Sequence, residues 1–257
     1  MSLKQRFRAS SRFALRHLTA SVLVAATCAI LVFAIWYPYP YGELASGREL
    51  FALVISVDVV IGPALSLFVY DPAKPRDELW RDLGVIFVMQ IAALSYGMYS
   101  VTQARPVWLA LEGDRFRIVA VPDVDDNDLG RATDGLGSFS WTGPKLVGVR
   151  LLEPTDPEFP KSIQLAMQGV HAAFRPERWV NYDKQRPDAV RAAKPLKYLR
   201  HKFPDRSALI DDVIARSKFA EAELGYLPLA SQHRTDWSVV ISLKDGTPIG
   251  FLPLDAW

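Results

Sequence analysis

An α+β domain tethered to a membrane by a three-helix bundle is the fold this sequence predicts, and three observations predict it. Apolar stretches at Leu18–Tyr37, Leu50–Tyr70 and Leu83–Gln103 crowd the first 105 of 257 residues. Each is about 20 residues long, enough for a helix to span the roughly 30 Å of a bilayer's hydrocarbon core. The remainder is polar and balanced in charge, with 21 Lys or Arg against 21 Asp or Glu from residue 104 onward.

The chain opens on a basic arm, residues 1–17, which holds Lys4, Arg6, Arg8, Arg12 and Arg16 and no acid. The arm is short and abuts an apolar stretch, and the net charge is only +2, so no nucleic-acid partner is expected. The first stretch exceeds the roughly 7–15 residues of a cleavable signal core. Bulky Trp36-Tyr37-Pro38-Tyr39-Pro40-Tyr41 follows it instead of a small-residue cleavage site. It therefore reads as a retained helix with aromatic residues at the interface. Cys28 is the sole cysteine, so neither an intrachain disulfide nor a cysteine-rich zinc site is available.

Basic residues set the orientation, because loops rich in Lys and Arg stay inside. The arm belongs to the cytoplasm. The loop 38–49 has Arg48 against Glu43 and Glu49, and the loop 71–82 has Lys74, Arg76 and Arg81. The first suits the outer side and the second the inner. Three crossings then put residues 104–257 outside, in the periplasm of a double-membrane bacterium, with residues 18–103 in its inner membrane.

Within the bundle, Ser21, Ala25 and Ala29 share one helix face, as do Asp58, Gly62 and Ser66, and Gln90, Ala93, Gly97 and Ser100. Small residues on one face let helix backbones approach closely in lipid. Asp58 is the only acid in the three stretches. It lies about 12 Å along its helix from Leu50, near the bilayer midplane, where an ionised acid costs at least about 2.5 kcal/mol. Gln90 and Ser95 are candidate partners. Three readings stay open: a protonated link between helices, a contact with a polar group of another membrane protein, or ion transport. Gly62-Pro63 predicts a kink that frees carbonyls near residues 58 and 59. Intramembrane catalysis is not supported. Asp58 has no second carboxylate to share a proton, and no histidine lies within any of the three stretches.

Beyond Arg105-Pro106, Val107–Leu111 and Arg115–Val121 form a predicted hairpin around Glu112-Gly113-Asp114. A loop-rich segment runs to about Lys161, and Ser162–Ala173 reads as helical. Pro187–Lys202 is mixed, with Pro195 an interruption. Ser207–Leu224 is the strongest soluble helix, with Ser207 as its cap. The terminal hairpin pairs Trp237–Leu243 with Thr247–Leu252 across Asp245-Gly246. Trp80 and Trp108 flank membrane segments and read as headgroup-level anchors; Trp237 and Trp257 read as packed on the core.

Catalytic and metal-binding signals are absent. His171, His201 and His233 have no metal-ligand spacing, and no nucleophile elbow or phosphate-binding glycine loop occurs. Asp123, Asp125, Asn127 and Asp134 mimic a calcium loop, but Asp128 occupies the position that needs glycine. No cofactor or metal is expected.

Several motifs occur in a telling order: Trp36-Tyr37-Pro38, Asp58 with Gly62-Pro63, Leu94-Ser95-Tyr96-Gly97, Gln103-Ala104-Arg105-Pro106 and Asp114-Arg115-Phe116. Asp236-Trp237, Asp245-Gly246 and Leu252-Pro253-Leu254 close the series. This order resembles the TfpX/TfpZ family of type IV pilin accessory proteins. The resemblance spans most of the chain, with few landmarks between about residues 122 and 205. It implies an inner-membrane, chaperone-like partner of a cognate major pilin, in contact with lipid and with other pilus-assembly proteins, and no catalytic motif. Asp58, Gly62, Pro63 and Ser66 are the candidate membrane contact. Trp237, Asp245 and Gly246 are the candidate outer contact, made by strand addition. Two rival classes are a membrane-bound enzyme modifying pilin or envelope glycans, and a periplasmic sensor, for which the short arm offers no output module.

Overall fold

The computed structural model of the protein describes residues 3–232 and 234–257. His233 and the first two residues of the basic arm lie outside that range. The chain forms two compact units, Met1–Ala104 and Arg105–Trp257.

Three helices long and apolar enough to cross a membrane make up the first unit. α1 (Leu3–Ile30) runs on through a π-helical turn, Leu31–Trp36. It takes in the basic arm, because the helix-favouring Lys and Arg residues there meet no Pro or Gly breaker. α2 (Gly47–Val69) contains a second π-helical turn at Val57–Ile61, just ahead of Gly62-Pro63. α3 covers Arg76–Gln103. Val32, Tyr37, Phe51 and Val101 form a buried cluster, and the Tyr37 hydroxyl donates to the Val101 carbonyl at 2.9 Å. Gly97 lets α3 close on α2, since a Cβ there would sit 2.5 Å from a Val54 methyl. The outward sides carry exposed Leu53, Phe68, Val88 and Tyr96, surfaces that suit hydrocarbon. Two expected inward residues turn outward: Ala93 and Ser95 are exposed, and Leu94 is half-buried instead.

A mixed sheet organises the second unit. β1 (Pro106–Glu112) and β2 (Arg115–Ala120) form the first hairpin, with Gly113 at φ +69° in its turn. β3 (Lys145–Val149), α4 (Phe159–Met167) and β4 (Trp179–Val180) follow. α5 (Arg186–Ala192), β5 (Lys194–Pro195), α6 (Leu196–Lys202) and α7 (Ser207–Arg216) come next. β6 (Leu224–Ala230), β7 (Trp237–Ser242) and β8 (Pro248–Leu252) end the chain. The strand order is β4-β3-β1-β2-β6-β7-β8, with β5 paired to β6. β1 pairs parallel with β3, and β2 parallel with β6. One core gathers Val107, Trp108, Val147, Phe174 and Trp179, and a second gathers Leu196, Leu199, Ile210, Leu224, Tyr226 and Val240.

Four expectations fail here for physical reasons. β3 lies inside the segment read as loop, where flanking Gly and Pro mask a five-residue apolar strand. The helix expected over Ser207–Leu224 stops at Arg216, and Leu224 opens β6. β6 is buried throughout, so it shows no alternation, and Gly225 and Pro228 disguise it further. The Ser207 hydroxyl donates to the Pro204 carbonyl at 2.8 Å and caps nothing. Trp108 is also no headgroup anchor: it is 3% exposed, with its ring centroid 5.5 Å from that of Trp179. Trp80 is exposed.

The calcium-like residues bind protein groups instead. Asp123 accepts from the Ala120 amide, Asp125 from the Asn127 amide, and Asp134 pairs with Lys184 at 2.7 Å. Among the described residues, no group of three His, Cys, Asp or Glu is placed to hold a metal.

His171 is half-buried, edge-on to Phe174, and burial is the main cause that pushes its pKa down, with Arg117 adding to it. Glu112 and Asp123 pull the other way, and Arg115 reinforces Arg117. A folded value below the unfolded one means the unfolded chain binds more protons once the pH drops through about 6.5. Stability of the second unit should therefore decline from pH 7 toward pH 5. His171→Phe should flatten part of that decline; melting curves at stepped pH with equal slopes for both proteins would refute it.

Candidate functional site

The polar residues of the first unit converge on one place. Asp58 sits at the middle of α2 and is 7% exposed. Two local features shape the backbone there. Pro63 has no N–H to donate, and the π-helical turn at Val57–Ile61 widens the helix just before it. The Gln90 carboxamide of α3 donates to the freed Asp58 carbonyl at 3.3 Å. Gly62 makes that possible, because a Cβ at this position would run into the Gln90 side chain. Gln90 thus partners the backbone of Asp58, as the freed carbonyl requires. Ser95, the other partner considered, is on the exposed side of α3.

About two turns along α2 from Asp58, Ser66 is 1% exposed, and its hydroxyl shares a 2.6 Å hydrogen bond with His17 Nδ1 of α1. Further along, the Ser10 hydroxyl donates to the Tyr70 carbonyl at 2.7 Å, and Phe13 stacks on Tyr70 with centroids 4.5 Å apart. These contacts fasten α1 to the second half of α2. His17 is the residue that sequence reasoning missed, because it falls one position before the expected first span. A signal was present: His17, Ser21, Ala25 and Ala29 continue one four-residue spacing.

A cavity of about 750 Å³ opens beside this cluster, with Asp58, Ser66, Gln90 and His17 in its lining. Asp58 Oδ1 and Gln90 Oε1 are buried and lack hydrogen-bond partners. Ser, His and Asp are the residue types of an acyl-transfer triad, but the arrangement is not one. Among the described residues, no hydrogen bond from His17 to Asp58 orients the ring. The nucleophile–base–orienter chain therefore lacks its orienting member.

In the second unit, the terminal-hairpin candidates separate by role. Trp237 is 1% exposed and belongs to the interior. Gly246 is buried at φ +72°; its carbonyl accepts from the Tyr182 hydroxyl at 2.6 Å, and a Cβ would lie 2.8 Å from the Arg186 carbonyl oxygen. Burial pushes the Tyr182 phenol up to about 12. Asp245 is exposed, and hydrogen bonds from the Thr247 amide and the Ser242 hydroxyl hold its carboxyl below the usual range. Arg186 binds the Asp245 carbonyl and the Thr247 hydroxyl. Trp257 is about half exposed beneath Arg115, with its indole N–H donating to the Thr235 carbonyl.

Fold and site together define a membrane-anchored α+β protein with a polar cluster among its apolar helices that, in the described residues, is not joined as a Ser-His-Asp triad. Its relatives narrow the class. The family model of the fimbrial assembly protein FimB matches residues 5–46. The chain is 31% identical to the fimbrial assembly protein of serogroup I from Dichelobacter nodosus over 239 residues, 93% of either chain. The serogroup E1 protein of that organism matches with the same identity and coverage. The serogroups C1 and C2 protein is 36% identical over 129 residues, half of this chain and 98% of that one. No solved structure matches. The chain therefore belongs to the fimbrial assembly protein family. The resemblance to TfpX/TfpZ proteins is carried by these relatives as far as fimbrial assembly, and their names indicate assembly rather than catalysis.

Proposed function

We propose that the protein is a non-enzymatic accessory of type IV pilus assembly that binds a cognate major pilin and promotes its stability or its incorporation into pili. A match at 31% identity across 93% of the chain to a protein named for fimbrial assembly carries this reading, and the motif order that resembles TfpX/TfpZ proteins supports the pilin as partner. The basic loops support a seat in the inner membrane with the N-terminus cytoplasmic and residues 104–257 periplasmic. Lipid surrounds the bundle, and other pilus-assembly proteins are further partners.

A subunit held in the membrane by one helix, with a globular head outside, can meet both units at once. Linking two contacts raises the effective concentration of each, so neither need be strong. The face of Asp58, Gly62, Pro63 and Ser66 is the membrane contact in this reading. At the outer contact, Asp245 and the free edge of β8 meet the partner, while Trp237 and Gly246 hold the hairpin in shape.

Crosslinking in intact membranes, with the partners identified, tests the class: a pilin should be enriched. Pilin abundance, pilin mass and pilus number, compared with and without the protein, separate the rivals. Loss of pilin or pili at constant mass fits an accessory. A mass change would indicate an enzyme, and a purely transcriptional change a sensor. Asp58→Ala should lower pilin co-purification and surface piliation; unchanged values at normal protein levels would remove Asp58 from the contact.

A further inference from the structure

The cavity beside Asp58 is elongated along the helices. Its lining extends from Phe13 to Val24 on α1, about 16 Å, and from Trp80 to Leu94 on α3, about 21 Å. α2 contributes Asp58 and Ser66 to it. The walls are apolar, with Phe13, Val24, Phe87 and Leu94 among them. Against these walls stand two unpartnered oxygens, Asp58 Oδ1 and Gln90 Oε1. Asp58 is more than nine-tenths buried within the bundle. Of the other polar side chains in the lining, His17 and Ser66 bind each other, while Arg16 and Ser21 also border the cavity.

We propose that this groove seats the transmembrane helix of a fibre subunit, and that this helix carries a hydrogen-bond donor at the depth of Asp58. The proposal rests on the pilus-assembly reading and names the chemistry of its membrane contact. A helix of three to four turns matches the length of the groove. An acyl chain would fill the same apolar walls but leave both oxygens unsatisfied, which hydrocarbon penalises. A hydroxyl, carboxamide or protonated amine on a helix satisfies them. Gly84 lines the groove, and a Cβ added there would meet nothing within 4 Å, so the wall leaves room for a neighbour at that point.

The test uses the full chain in membranes of piliated cells. A photoreactive benzophenone side chain at groove-lining Phe87 should crosslink to the subunit, and one at Phe68, exposed on α2 away from the groove, should not. Gly84→Leu plugs the groove without crowding the bundle and should lower subunit co-purification about three- to tenfold, the scale of one interhelical hydrogen bond and its packing. Asp58→Leu should do the same, and Asp58→Asn, which keeps an acceptor oxygen, should bind better than Asp58→Leu. Equal binding by all three side chains at position 58 would overturn the donor. A subunit that co-purifies but never crosslinks from Phe87, or that ignores Gly84→Leu, would overturn the groove and leave the accessory role standing. Capture of phospholipid alone at Phe87 would likewise overturn it. Absence of any subunit from the purified protein would overturn the assembly reading itself.

Discussion

Replacing Trp179 by alanine is expected to destabilise the second unit by about 3–5 kcal/mol, the range for emptying a buried aromatic site. Trp179 is fully buried in β4, where it pairs with Val149. Its ring meets Trp108, and its indole N–H donates to the Ala173 carbonyl at 2.8 Å. Two strands, a 3-10 turn and the first core all lean on this one side chain. A loss of that size consumes a large share of a typical domain's 5–15 kcal/mol. At about 2–4 °C per kcal/mol for a unit of this length, the melting temperature should fall by roughly 6–20 °C. Trp179→Phe keeps an aromatic neighbour for Trp108 and leaves the Ala173 carbonyl unpaired, so it should cost less, about 1–3 kcal/mol. Thermal melting of the intact protein checks both. A Trp179→Ala protein melting within about 2 °C of the parent would remove Trp179 from the centre of the core.

Glu112→Ala should do comparable damage by another route. Glu112 and Arg117 pair at 2.7 Å across the first hairpin, each side chain only 11% exposed. The second Glu112 oxygen accepts the Ala173 amide at 3.1 Å, and Arg117 also lies 5.9 Å from the centre of the Phe174 ring. Removing the carboxylate leaves a guanidinium largely out of water and a backbone amide without its acceptor. Breaking one side of a buried pair typically costs about 3–5 kcal/mol. The pair replaced whole, as Glu112→Met with Arg117→Met, should be less destabilised than Glu112→Ala, because no charge is then stranded. Denaturant titration of the parent, Glu112→Ala, the double variant and its two singles, Glu112→Met and Arg117→Met, decides it. A double variant as unstable as the sum of its singles would mean that the two side chains are not energetically linked.

The parts of the structure legible in the sequence are those whose signal is local. Length and hydropathy announce the three helices, Gly113 and Gly246 announce the two hairpins, and a lone acid among apolar residues announces Asp58. What stayed hidden depends on distant partners. From the sequence β6 is unassigned beyond Leu224, because its place between β2 and β7 depends on pairing with a strand far earlier in the chain. Trp108 follows the third helix so closely that its place in sequence suggests lipid, whereas its place in the sheet is against Trp179. His17 was excluded by a span boundary drawn on hydropathy, although α1 continues through it. Gln90 was recognisable as a partner for residue 58, but that it serves the backbone carbonyl follows only from how Gly62 and the π-helical turn bring α3 onto α2.

The central position of the first hairpin has a consequence for biosynthesis. β1 and β2 are the earliest strands made, yet β2 waits roughly a hundred residues for β6 to close its open side. At common translation speeds of about 5–20 residues per second, the nascent chain carries an unfinished sheet for on the order of 5–20 s. Such an edge is a template for wrong pairing while it lasts. Chains cut short between α4 and β6 should therefore clump or be degraded, and a ribosome stalled in that interval would leave the cell a sticky product rather than a smaller working one.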